Sequence, residues 1–179
     1  ASIVVPGKSL QKQYMEDYTK GKYVLKNDHK KLKIKVITGR DNHACLFNKG
    51  VSADDLELPC KIEIKEKNIE KIREYLKDNP KVSNNLELDD VRRISIAPVC
   101  PYWAPIVPSQ MDLNVSAVKK NYKGINNTEF TIYQRRHGCN YYNQFNSYLD
   151  SEVIVFNSAK YLLECLMNRK PETDVEIID

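Results

Sequence analysis

Glycine is scarce in this chain, with six residues in 179. Glycine-rich turns let backbone N–H groups approach a phosphate closely. Neither signature built on such turns, GxGxxG or GxxxxGK[ST], occurs. GxSxG, which sets up a serine nucleophile, and HExxH, which holds zinc, are missing as well. The His-x-Glu and Pro-Cys-x-x-Cys pattern of zinc deaminases is also missing. No apolar run approaches the roughly 20 residues that span a bilayer. The opening "ASIVVPGKSL" lacks the basic region followed by an apolar stretch that marks a signal peptide. These absences point away from nucleotide hydrolysis, serine chemistry and membrane insertion, and toward the cytoplasm or nucleus.

Disulfide architecture is missing too. The five cysteines, Cys45, Cys60, Cys100, Cys139 and Cys165, are odd in number and far apart, which suits a reducing compartment. The chain needs no such staple, because a domain of this length buries an adequate core. Its apolar fraction of 41% and charged fraction of 29% are those of an ordinary globular protein.

Charge is present but uneven. The formal net charge is +4, yet the first forty residues hold ten Lys or Arg against Glu16, Asp17 and Asp28. The last nine, "PETDVEIID", hold four acids and no base. A basic front and an acidic tail suit a polyanionic or acidic partner. Three regions follow: a basic arm and the way into a hairpin over 1–30, a single α+β domain over 31–170, and an acidic tail over 171–179.

Periodicity supplies the elements. Leu10, Tyr14 and Tyr18 recur at four-residue spacing before Gly21 and predict a helix. "KYVLK" and "KLKIKVIT" flank "NDHK" as a hairpin, with Leu32, Ile34 and Val36 alternating against Lys31, Lys33 and Lys35. "HACLF", "CKIEIKEK" and "VRRISIAPV" read as strands, and "NIEKIREYLKDNP" as an amphipathic helix stopped at Asn79-Pro80. "APVCPYWAPIVPS" carries four prolines and reads as an ordered extended loop or edge pinned by Trp103. "MDLNVSAV" and "TEFTIYQRR" pair across "KKNYKGINN". "SEVIVF" is a strand, and Ser158 caps a final helix. The predicted fold is therefore α+β, with a mainly antiparallel sheet and two or three helices. The element order over Lys31–Val118 suggests an OB-like, partly open barrel.

The densest chemistry is "TIYQRRHGCNYYNQFNSY". Arg135 and Arg136 offer planar cations to phosphate, and Tyr133, Tyr141, Tyr142 and Phe145 offer faces on which unpaired bases stack. With the row Lys31, Lys33 and Lys35 they form a candidate site for single-stranded DNA or RNA, read with little sequence preference. The rival reading is a protein-interaction module built on the proline-rich and aromatic loops. Two His-x-Cys pairs, His43/Cys45 and His137/Cys139, would each present two ligands to zinc if they lay on strands. The usual zinc spacings are absent, so no metal is expected; no cofactor or catalytic residue is assigned, because catalytic pairs usually come from distant segments. "VEII" at 175–178, between Asp174 and Asp179, resembles a SUMO-interacting motif, which adds a strand to a partner's sheet. A last edge strand explains it more simply.

Overall fold

The structure, a computed structural model, describes residues 1–77 and 87–179, without the side chains of Thr19 and Lys20. Strand β1 (Ser2–Val5) feeds helix α1 (Lys8–Lys20), which returns the chain to β2 (Ile34–Ile37). A long excursion follows through α2 (Ile69–Leu76), α3 (Arg93–Ile96), β3 (Ile106–Pro108), β4 (Val118–Lys123), β5 (Glu129–Gln134), α4 (Asn140–Asn143) and α5 (Ser147–Asp150). The chain comes back as β6 (Val153–Asn157), α6 (Ser158–Leu166) and β7 (Glu176–Ile178).

Four strands form one parallel sheet in the order β2-β6-β1-β7. All five residues of β6, Val-Ile-Val-Phe-Asn, are buried. A parallel strand covered on both faces needs such an unbroken apolar run. On one face Asn157 Nδ2 donates to Gln11 Oε1 of α1 at 3.1 Å. On the other, Ile154 and Phe156 join Tyr122, Phe130, Phe145 and Tyr148 in one cluster. There the Phe156 ring also meets Tyr161 of α6 at 6.1 Å. Helix α1 thus covers one face, while α6 and the excursion cover the other. This is what right-handed crossovers give when they run in opposite directions along a sheet.

The second sheet is antiparallel, in the order β3-β5-β4. Two glycines shape its surroundings. A Cβ on Gly124 would lie 2.3 Å from Asn168 O, so only glycine lets these backbones meet. Gly138 adopts φ +126° just past β5, a conformation that side chains resist. Among the described residues no helix is long and apolar enough to cross a membrane.

The mainly antiparallel, OB-like barrel expected from the sequence is overturned: among the described residues the larger sheet is parallel, the antiparallel one has three strands, and no barrel closes. "HACLF" contributes only an isolated bridge, Ala44 to Ser52, and "CKIEIKEK" runs as turns into α2. "VRRISIAPV" becomes α3 and a 3₁₀ turn over Ala97–Val99, with Val91 and Ile96 packed against Ile62 and Ile72. Alternation in such short segments serves a loop that buries every second residue as well as it serves a strand. The partner of β5 is β4, drawn mostly from the expected turn, because Tyr122 alone of its residues needs burial. The turn itself tightens to Gly124–Thr128, where Asn126 and Asn127 both take positive φ.

Other expectations meet the structure directly. α1 ends before Gly21, and α2 and α6 lie where their periodicity put them. The Asn79-Pro80 stop lies outside the described residues. Asn157, rather than Ser158, caps α6: its Oδ1 accepts from Lys160 N at 2.8 Å. Ser158 Oγ donates instead to Val5 O. Residues 1–30 supply β1 and α1, and 171–179 supply edge strand β7.

Candidate functional site

Two places gather polar chemistry. The first lies along the edge formed by α1 and β2. Backbone bonds Leu32 N to Val24 O and Lys26 N to Lys30 O fold residues 24–32 into a short hairpin, with His29 at φ 61° in its turn. That hairpin holds Tyr23 outward, 57% exposed, with the Lys31 ammonium 4.4 Å from its ring centroid. Tyr18, Lys22, Tyr23, Lys31 and Ile34 line a surface pocket of about 190 Å³ here. Lys22, Lys26 and Lys30 are paired with Asp17, Glu152 and Asp28. Lys31, Lys33 and Lys35 are exposed and form no ion pair among the described residues. Ile34 faces the pocket, so alternation sends Lys35 to the opposite side of this edge strand.

The second place begins at the carboxyl end of β2. The Gln144 side chain pins Thr38 twice, accepting from its N–H at 2.9 Å and donating to its carbonyl at 3.1 Å. The Thr38 hydroxyl lies 2.7 Å from His43 Nε2. Burial lowers the His43 pKa, with Asp41 pulling it back up. Two residues past Thr38, the Arg40 guanidinium stacks 4.3 Å from the Tyr141 ring centroid. It donates to Ala53 O at 3.2 Å, to Cys60 O at 3.4 Å, to Cys60 Sγ at 3.5 Å and to Tyr142 Oη at 2.9 Å. Cys60 packs against buried Cys100, Cys139 and Tyr142. Cys100 and the Arg40 cation bring the Cys60 pKa well below the ordinary thiol range. The same contact pushes Cys100 upward, and burial adds to the rise.

The chain matches no protein-family model, no curated protein and no solved structure. Its chemistry must be read from its own geometry.

That geometry divides the residues singled out from sequence. Tyr133, Tyr142 and Phe145 are 2%, 8% and 4% exposed. Rings so enclosed cannot stack on a base, which corrects their expected role. The Tyr133 hydroxyl accepts from Leu113 N and donates toward Met111 O or Asp112 Oδ1. Arg135 spends one nitrogen on the carbonyls of Pro98 and Cys100, both at 2.9 Å, and so ties β5 to the proline-rich segment. Tyr141 is half-buried against His43, Tyr142 and Phe145. Arg136 is exposed, 5.9 Å from the Tyr102 ring centroid. The structure does not gather the nine residues into one surface.

The His-x-Cys pairs lie off the strands, and among the described residues no three of His, Cys, Asp and Glu converge to hold a metal ion. His137 Nδ1 lies instead 2.9 Å from Gln134 Nε2. Sequence reasoning missed Tyr23, Arg40, Cys60 and Cys100. Tyr23 sits among lysines and was legible; the other three become neighbours only in the fold.

Proposed function

We propose that this chain binds single-stranded nucleic acid along the α1–β2 edge. The observation that carries the reading is the exposed Tyr23 ring beside Lys31, at a pocket on an edge where the ammonium groups of Lys33 and Lys35 form no ion pair among the described residues. A flat ring stacks on any base, and ammonium groups neutralise backbone phosphates without reading sequence. Exposed Val24 and Leu25 extend the apolar part of the surface. A polyanion-binding chain rich in thiols belongs in the cytoplasm or nucleus.

The test is anisotropy of a labelled single strand titrated at several salt concentrations. Affinity is expected to fall by about 0.7 in log–log slope for each phosphate neutralised. Tyr23→Ala is expected to weaken binding by about 1–3 kcal/mol with folding stability unchanged. Lys31→Ala should flatten the salt slope. Absence of binding at low salt, or binding indifferent to salt, overturns this reading.

A second reading, a protein partner, is favoured by the outward face of α6. Leu162, Leu163, Leu166 and Met167 are 47–83% exposed there, and contiguous apolar exposure marks contact surfaces. On the proline-rich loop, where the sequence led us to expect the interface, Trp103 and Ala104 are buried and Tyr102 is partly exposed.

A further inference from the structure

Cys60 sits against a fixed cation and packs on the cluster that holds Cys100 and Tyr142. Arg40 Nη1 donates to its sulfur at 3.5 Å. Arg40 cannot swing away, because Ala53 O, Cys60 O and Tyr142 Oη hold its other donors and Tyr141 stacks beneath it. A fixed cation that donates to the sulfur stabilises a thiolate, the nucleophilic form of cysteine. Cys60 is half-buried, so a small oxidant can reach it, whereas Cys100 and Cys139 are enclosed at 3% and 7% exposure.

We propose that Cys60 and Cys100 form a redox-active dithiol: Cys60 attacks a hydroperoxide, and Cys100 resolves the product into an intramolecular disulfide. In the first step the Cys60 sulfur attacks the terminal peroxide oxygen. The S–O bond forms, the O–O bond breaks, and the departing alkoxide or hydroxide leaves with the electron pair and takes a proton from water. Sulfur loses two electrons and the peroxide becomes an alcohol or water. In the second step the Cys100 sulfur attacks the sulfenic sulfur of Cys60. The S–S bond forms, the S–O bond breaks, and the hydroxide leaves as water with the Cys100 proton. The sum is two thiols and one hydroperoxide giving a disulfide, an alcohol or water, and a further water. The disulfide carries no charge, so oxidation removes the anion that Arg40 faces. It also ties the turn ahead of α2 to the segment that follows α3.

The experiment uses the full wild-type chain. Each cysteine is alkylated at limiting reagent near pH 6, and modification is resolved by peptide mass spectrometry. Cys60 is expected to react at least about tenfold faster than half-exposed Cys45, because alkylation tracks the thiolate fraction. Hydrogen peroxide is then expected to produce a peptide linked through Cys60 and Cys100, released by dithiothreitol. In a Cys100→Ser variant, dimedone should capture sulfenic acid on Cys60. Alkylation of Cys60 no faster than Cys45, or peroxide linking a different pair, overturns the proposal. Both measurements are made on the wild type, so they decide the matter even if the variant does not fold.

Discussion

Tyrosine has an apolar ring and a polar tip, and at residue scale the enclosed Tyr122, Tyr133 and Tyr142 use both ends. Tyr133 and Tyr142 bury their rings and give their hydroxyls to a backbone amide and to the Arg40 guanidinium. A tyrosine cluster beside arginines therefore has a structural use, supporting an inward-facing cation, besides the recognition use expected of it. His43 is the histidine whose protonation the fold resists. Burial lowers its pKa from the ordinary 6.5, and Asp41 offsets the effect in part. The unfolded chain accepts the proton more readily than the folded one, so protonation favours unfolding. The stability at stake is fully present above pH 6.5 and is lost as pH falls through the lower, folded value. Urea midpoints taken from about pH 7.5 down to about pH 5 should fall in the wild type, and fall less in His43→Gln. Equal slopes in the two proteins would show that other groups carry the acid sensitivity.

At the scale of elements, the junction of β6 and α6 holds the parallel sheet to its helices. Asn157 caps α6 through Oδ1 and reaches α1 through Nδ2, while Gln11 Nε2 continues to Ile37 O at 2.6 Å. One side chain thus links β6, α6 and α1, and through Gln11 the end of β2. Asn157→Ala is expected to cost about 2–4 kcal/mol, the loss of a cap together with a buried amide left unpaired. Ser158→Ala removes a single bond to Val5 O and should cost about 1 kcal/mol. Chemical denaturation of both variants checks the ranking, and a larger loss for Ser158→Ala would return the capping role to that residue. The two ends of this sheet differ. β2 presents lysines, which discourage edge-to-edge pairing, while β7 carries Ile177 and Ile178 exposed beside Glu176. Glu176 is engaged by Tyr161 and Lys170, so the acidic end of the chain is tied to α6 and the segment after it.

At the scale of the molecule, the face of the sheet under α6 contains a charge. Glu164 is fully buried, and its Oε1 accepts from Lys160 Nζ at 2.6 Å and Arg169 Nη2 at 2.8 Å. Among the described residues its Oε2, the Tyr148 hydroxyl and Arg169 Nε have no hydrogen-bond partner. Burial, and then the nearby Glu164 charge, hold the Tyr148 phenol well above its ordinary range. Removing one member of such a group strands the others in a low-dielectric interior. Glu164→Ala is therefore expected to lose about 3–5 kcal/mol by urea denaturation. Replacing Lys160, Glu164 and Arg169 together by apolar residues of similar volume should lose less than that single change. If the triple variant is the less stable of the two, the ion group contributes net stability of its own.

What the sequence by itself determined is local. The periods of Leu10–Tyr14–Tyr18, of "NIEKIREYL" and of "AKYLLECL" mark α1, α2 and α6. The apolar run of β6 and the alternation of β5 mark strands, since side-chain period and backbone conformation are coupled residue by residue. The lysine face of β2 was legible in the same way. The tertiary structure decided which strands pair and in which direction. β6 enters between β1 and β2 only after the whole excursion, and parallel partners share no turn that would announce them. It also decided whether an aromatic residue faces water or the core, which turned Tyr142 and Phe145 inward although their neighbours in sequence are polar. Arg40, Cys60, Cys100 and Tyr142 come from four separate segments. Their chemistry depends on distances of a few ångströms, and local periodicity carries no information about distances between remote parts of a chain.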